Sequence, residues 1–154
     1  MKSVRYLMAI VLATTLVATV LADEPPPPRQ YYSSWRKTEK FYYRYYYFKP
    51  ARNDARYKYQ YVIFKQKTPE WVYWYNPTTK KYWARCPTRN HPMYGKEIAA
   101  GKDLWSLLPD EFRRDNLNDI KDEQFEKVEN KSPPIPGSKD SQSIDCPPSD
   151  LPKG

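Results

Sequence analysis

The chain has 154 residues, 26 Lys and Arg against 18 Asp and Glu, one histidine, two cysteines and four glycines. A lone histidine, and two cysteines far apart in the sequence, argue against a zinc site, which draws four ligands from clustered Cys and His. With so few glycines there is no Gly-rich phosphate-binding loop, and catalysis built on a serine–histidine or cysteine–histidine pair would have to use His91.

The first 22 residues read as a signal peptide. Lys2 and Arg5 precede a 17-residue uncharged stretch from Tyr6 to Ala22, which ends in Val20-Leu21-Ala22 before Asp23-Glu24-Pro25. A basic start, an apolar middle and a small-residue exit are what a signal peptidase reads. The competing reading is a retained anchor, but the stretch is at the short limit for a bilayer span and Thr14, Thr15 and Thr19 dilute it. The expected location is secreted or periplasmic, with no membrane span after cleavage.

Charge divides the remainder. Residues 23–102 carry 17 basic and 6 acidic side chains, and residues 103–154 carry 7 and 12. Two explanations stand: the halves neutralise one another, or the basic half faces an anionic partner such as an acidic glycan, nucleic acid or a membrane surface. The first is preferred, and nucleic acid is the less favoured partner.

In chain order, residues 23–34 form a Pro-rich lead around Pro25–Pro28, expected to be extended and without packing. A single small domain is expected over 35–130. Its strand meander covers 41–86, a loop 87–102 and short helices 103–128. The run Phe41–Phe48 is aromatic and β-prone and ends at Pro50. Tyr57, Tyr59, Tyr61 and Ile63 alternate with Lys58, Gln60, Val62 and Phe64, the period-2 mark of a strand. Trp71–Tyr75 and Tyr82–Cys86 are the third and fourth strands. Asn76-Pro77 between them suits a type I turn. Links this short require antiparallel neighbours, so the expected fold is mainly β with minor α: an antiparallel aromatic meander of about four strands. Leu104, Leu107 and Leu108 fall at helical spacing, with Asp103 as N-cap. Residues 131–154 form a Pro-rich tail lacking core residues, expected to be extended or disordered.

Two sets of residues carry functional expectations. In an oxidising compartment Cys86 and Cys146 would pair, closing a loop of about 60 residues worth roughly 4 kcal/mol in the chain-entropy account. Residues 31–94 also hold 14 Tyr, 4 Trp and 3 Phe. Tyr57, Tyr59 and Tyr61, with Lys58 and Lys65, form a candidate aromatic and basic binding face. Trp71, Tyr73 and Tyr75, flanked by Arg85, form another. The alternative is that these rings are the core of a chain poor in Leu, Ile and Val. No catalytic residue, metal ligand or cofactor is expected, and the leading function is a non-enzymatic binding module of the cell envelope or extracellular space. A structural, coat-associated Tyr-rich protein is the runner-up.

The segment Trp71–Trp83 also looks like the second hairpin of a WW domain, whose aromatic groove docks polyproline helices. Here Trp71 and Trp83 are too close together and Pro87 falls one residue late. More broadly, Trp71-Val72-Tyr73-Trp74-Tyr75-Asn76-Pro77, Lys81-Tyr82-Trp83-Ala84-Arg85-Cys86 and the tail segments Pro134–Asp140 and Pro147–Pro152 resemble small exported bacterial proteins with a Tyr-rich hairpin block and a Pro-rich tail. That resemblance implies export and a single domain; the family carries no known activity, ligand or site.

Overall fold

The computed structural model describes residues 26–98, 105–128, 131–145 and 150–152. The segment 1–22 read as a signal peptide, Asp103, Leu104 and Cys146 lie outside the described residues.

The centre is the expected meander. Strands β3 (Tyr42–Phe48), β4 (Lys58–Phe64), β5 (Trp71–Asn76) and β6 (Lys81–Pro87) pair antiparallel in sequence order. The β5–β6 turn uses the side chain expected of it. Asn76 Oδ1 accepts from the backbone N–H groups of Thr78 (2.9 Å) and Thr79 (3.3 Å), and Lys80 closes the turn in the left-handed region at φ 56°.

The sheet then extends beyond the four strands foreseen. Strands β1 (Gln30–Tyr32) and β2 (Arg36–Lys37) both pair with β3, so the N-terminal lead is packed from Gln30 onward. On the opposite edge β7 (Ser106–Leu107) pairs with β6, and β8 (Glu126–Lys127) with β7. The expected helix through Leu107 and Leu108 is therefore a correction: the Leu108 amide bonds the Trp83 carbonyl at 2.8 Å, and the segment continues the sheet. Single 3-10 turns at Asp110–Phe112, Leu117–Asp119 and Asp122–Gln124 replace longer helices, and a π-turn at Tyr94–Ile98 interrupts the loop after β6. No helix among the described residues is long and apolar enough to cross a membrane.

Strand alternation gives the sheet two faces. On one, Tyr42, Tyr46 and Phe48 of β3 pack with Val62, Phe64, Val72, Trp74, Ala84, Cys86 and Trp105. The cover over this face comes from the tail, the largest departure from the sequence reading. Ile135 and Ile144 are fully buried there, and Leu151 packs beside them. The tail folds as a short hairpin. Pro134 bridges Ser143, the Ile144 amide bonds the Pro133 carbonyl at 2.7 Å, and Gly137 turns the chain at φ 74°. Proline-rich composition hid two isoleucines that do the work of core residues.

Polar tethers tie the tail to the N-terminal third. Trp35 Nε1 donates to the Asp150 carbonyl at 2.7 Å, Gln30 Nε2 to the Ser143 carbonyl at 3.0 Å, and the Tyr32 hydroxyl to the Asp145 carbonyl. Among the described residues, three ion pairs join the basic half to the acidic half: Arg29–Asp140 (2.6 Å), Arg44–Asp150 (3.1 Å) and Arg85–Asp122 (2.7 Å). At these points the two halves neutralise one another by direct contact.

Candidate functional site

The other face of the sheet is covered on one side only. Over β5 and β6, the segment 108–125 lays Leu108, Phe112, Leu117, Ile120 and Phe125 against Ile63, Tyr73 and Tyr82. Over β1, β3 and β4, tyrosines stand toward solvent. Tyr43, Tyr45 and Tyr47 occupy alternate positions of β3, facing Ile63, Tyr61 and Tyr59 of β4 in register. Tyr31 of β1 is paired with Tyr47. Tyr59 and Tyr31 are the most open, at 44% and 39% exposure, and Tyr43, Tyr45, Tyr47, Tyr57 and Tyr61 are half-buried.

The rings form one connected surface. Tyr31 stacks on Tyr47 (centroids 5.0 Å apart, planes at 23°), and Tyr47 on Tyr45 (5.6 Å, 24°). Tyr45 meets Tyr61 at 5.2 Å and, edge-on, Tyr59 at 5.5 Å. At one end Tyr31 meets Tyr57 edge-on at 5.1 Å, and at the other Tyr61 reaches Tyr75 at 6.1 Å. Offset stacks and edge contacts are the favoured aromatic geometries, each worth about 0.5–1.5 kcal/mol beyond area burial. Two cations sit on the rings, the Arg36 guanidinium 5.0 Å from Tyr45 and the Lys49 ammonium 4.8 Å from Tyr57. Where Phe41, Tyr43, Tyr61, Tyr75 and Tyr82 converge, a groove of about 420 Å³ opens, with Asp115 at its rim. Crowding raises the phenol pKa values. Tyr61 is pushed up to about 12 by desolvation, with the phenols of Tyr45 and Tyr59 adding to it, and Tyr82 to about 12 by burial, with Tyr75 contributing.

The residues expected to form a binding face are thus divided. Tyr57, Tyr59, Tyr61 and Tyr75 belong to the connected surface. Tyr73 does not: it is 6% exposed and packed against Phe125. Trp71 shares that face but lies under the Arg85 guanidinium at 4.0 Å and beside the His91 ring at 4.5 Å. Arg85 itself is 8% exposed, held between Trp71 and Phe125 (4.2 Å) and paired with Asp122, so it serves packing rather than flanking an open platform. Lys58 projects from the opposite side of β4 to Tyr57 and Tyr59, by the pleat of the strand. Lys65 follows the end of β4, and its pKa is lowered by desolvation and by Lys67. Sequence reading missed Tyr31, Tyr43, Tyr45 and Tyr47. The signal was the odd-numbered alternation within 41–48, obscured because the even-numbered positions are also mostly aromatic.

His91 packs on Trp71 and its Nδ1 accepts the Met93 amide at 3.1 Å. Among the described residues no three His, Cys, Asp or Glu side chains cluster as a metal site would need. Cys86 is fully buried, and among the described residues there is no free cysteine. No family model, curated protein or solved structure matches this chain.

Proposed function

We propose that this chain is an exported, non-enzymatic binding module whose tyrosine face holds a ring-bearing polymer of the cell envelope or extracellular space. One observation carries the reading. The two faces of a single sheet are treated differently: one is sealed by the tail, and the other carries seven mutually supporting tyrosines over β1, β3 and β4, two exposed and five half-buried. Tyrosine on an open surface offers a large apolar body with a hydroxyl at the water edge, which is why it is enriched at interfaces. The rings hold one another, so little conformational entropy remains to be lost on binding.

Export rests on the pattern of residues 1–22 and agrees with pairing of Cys86 to Cys146 in an oxidising compartment. The resemblance to small exported bacterial proteins points the same way. The WW-like reading loses support from geometry. Trp71 lies on the tyrosine face, while Trp83 packs with Trp74 on the sealed face and donates to Gln60 at 3.0 Å, so the two do not share a groove.

The test is retention of the mature chain, residues 23–154, on an array of immobilised envelope and extracellular polysaccharides. Tyr45→Ala and Tyr59→Ala should each weaken binding about tenfold or more, the scale of a central interface tyrosine. Tyr59→Ala, which removes ring contacts with Tyr45, Tyr47 and Tyr61, should lower stability by about 1–3 kcal/mol and leave the chain folded under the assay conditions. Retention on no polymer, or unaltered retention of both variants, refutes the reading. A structural role through tyrosine cross-linking is the second reading, favoured by the exposed phenols of Tyr31 and Tyr59. It predicts dityrosine fluorescence in the protein isolated from its native surface.

A further inference from the structure

The groove on the tyrosine side of the sheet, about 420 Å³ in volume, is of the size that holds one small molecule. Buried Ile63 and the rings of Phe41, Tyr43, Tyr61, Tyr75 and Tyr82 line it. The five rings form a continuous chain. Phe41 meets Tyr43 edge-on at 6.3 Å, Tyr43 meets Tyr61 edge-on at 5.8 Å, Tyr61 meets Tyr75 at 6.1 Å, and Tyr75 meets Tyr82 edge-on at 5.0 Å. Edge-on neighbours set their planes across one another, so rings of different orientation border one hollow.

Both rims of the groove are held in place. At one, Thr38 Oγ1 donates to the Phe41 carbonyl (2.8 Å) and accepts from the Phe41 amide (3.1 Å), which fixes the turn into β3. At the other, the Tyr82 amide donates to the Arg114 carbonyl at 2.8 Å, which holds the next residue, Asp115, beside the rings.

The charge of the groove is unlike that of the chain around it. Residues 23–102 hold 17 basic side chains, yet no Lys or Arg lines the groove, where the charged side chain is Asp115. Asp115 is exposed and is in none of the ion pairs among the described residues. Tyr61 and Tyr82, both pushed up to about 12, are neutral phenols at neutral pH. Elsewhere the chain lays its own cations on its rings: Arg44 over Trp35 at 4.1 Å, Arg36 over Tyr45 at 5.0 Å, Lys49 over Tyr57 at 4.8 Å and Arg85 over Trp71 at 4.0 Å. Among the described residues no Lys or Arg lies over any of the five groove rings.

We infer that this groove is a site for a small quaternary-ammonium solute of the choline type, its methylated nitrogen seated against the rings and its charge offset by Asp115. Ring faces are the negative side of the aromatic quadrupole, and several of them around one hollow attract an organic cation, most strongly when it is desolvated. A fully methylated nitrogen has no N–H to satisfy, so it enters a ring-lined hollow more readily than a primary ammonium, which is strongly hydrated. A free solute fits better than a lipid headgroup. Four of the rings are half-buried and Tyr82 is buried, so the flat surface of a bilayer meets the rims before the rings. The site goes beyond the polymer reading and does not depend on it, because its ligand is recognised by charge against rings and one carboxylate.

The experiment titrates the mature chain with choline and two analogues, and follows ligand methyl and tyrosine ring signals by proton NMR. In 3,3-dimethylbutan-1-ol carbon replaces the nitrogen and the charge is lost; ethanolamine keeps the charge and loses the methyl groups. Choline should bind about tenfold tighter than either, and its N-methyl signal should move upfield, because protons over ring faces are shielded. Asp115→Asn should weaken choline about two- to fivefold, the scale of an exposed ion pair, with the neutral analogue and the unfolding midpoint unchanged. Tyr75→Leu keeps an apolar wall and should weaken choline about tenfold, while the neutral analogue still binds. Equal binding of choline and its neutral analogue, or choline binding that neither variant alters, overturns the assignment. Sedimentation with phosphatidylcholine vesicles without any response to choline overturns the free-solute assignment. Polymer retention without choline binding refutes this inference alone. Choline binding without polymer retention upholds it and refutes the polymer reading alone.

Discussion

Ile144→Ala tests whether the tail is part of the core. The Ile144 side chain is fully buried beneath the sheet, with Ile135 and Trp105 in the same cluster. Alanine removes three carbon groups at about 0.8 kcal/mol each, and the cavity left behind raises the loss to about 3 kcal/mol, within the range of about 2–5 for such truncations. In a domain of this size that lowers the melting temperature by roughly 10 °C. The assay is guanidinium unfolding followed by tryptophan fluorescence, because Trp74 and Trp105 report on the same cluster. Ser141→Ala, at an exposed tail position, is the control and should shift stability by less than about 0.5 kcal/mol. If Ile144→Ala behaves like that control, the tail does not seal the sheet and the two-faced account of the fold is wrong.

Arg85→Ala should cost about 2 kcal/mol, since it removes a guanidinium packed between Trp71 and Phe125 and cation–π contacts strengthen when desolvated. Asp122→Asn, whose side chain is 87% exposed, should cost less than about 1 kcal/mol; equal costs in chemical unfolding would contradict the packing role. Tyr61 and Tyr82, both pushed up to about 12, keep their protons in the folded chain after an unfolded chain would lose them near 10. Their stabilisation is therefore complete below pH 10 and lost as the pH rises to about 12. Phenolate absorbance should show a fraction of tyrosines titrating late, with unfolding free energy declining across that window; a single titration near pH 10 would contradict the crowding. Pairing of Cys86 with Cys146 predicts no reactive thiol in the denatured, unreduced chain, and about 4 kcal/mol lost in Cys146→Ser; two titratable thiols would exclude it.

The meander was legible because its signals are local. Strand periodicity and turn residues placed all four central strands within a residue or so of β3–β6. The edges were not legible, because β1 and β7 exist only through partners distant in sequence. Gln30–Tyr32 sits beside a proline run, and Ser106–Leu107 beside leucines at helical spacing. The candidate site was half legible. Alternation put Tyr57, Tyr59 and Tyr61 together, but it left Tyr75 in a separate set with Trp71 and Tyr73, and only the strand register brings Tyr75 opposite Tyr61. It could not show that Phe125, some fifty residues onward, closes over Tyr73 and clamps Arg85. Nor could composition show that Ile135 and Ile144 are buried while the prolines around them shape the hairpin.

The sealing of one face by Ile135, Ile144 and Leu151 sets the order of events during synthesis. Tyr42, Tyr46 and Phe48 leave the ribosome about a hundred residues before Ile144, which completes their cover. Synthesis of the intervening residues takes several seconds at about 5–20 residues per second, whereas a hairpin forms in about 1–10 μs. A nascent chain can pair β3 to β6 early, but it cannot bury their sealed face until the last segment arrives. The unfinished sheet is thus an exposed aromatic surface with a defined lifetime, one that a chaperone would meet before the native fold can form.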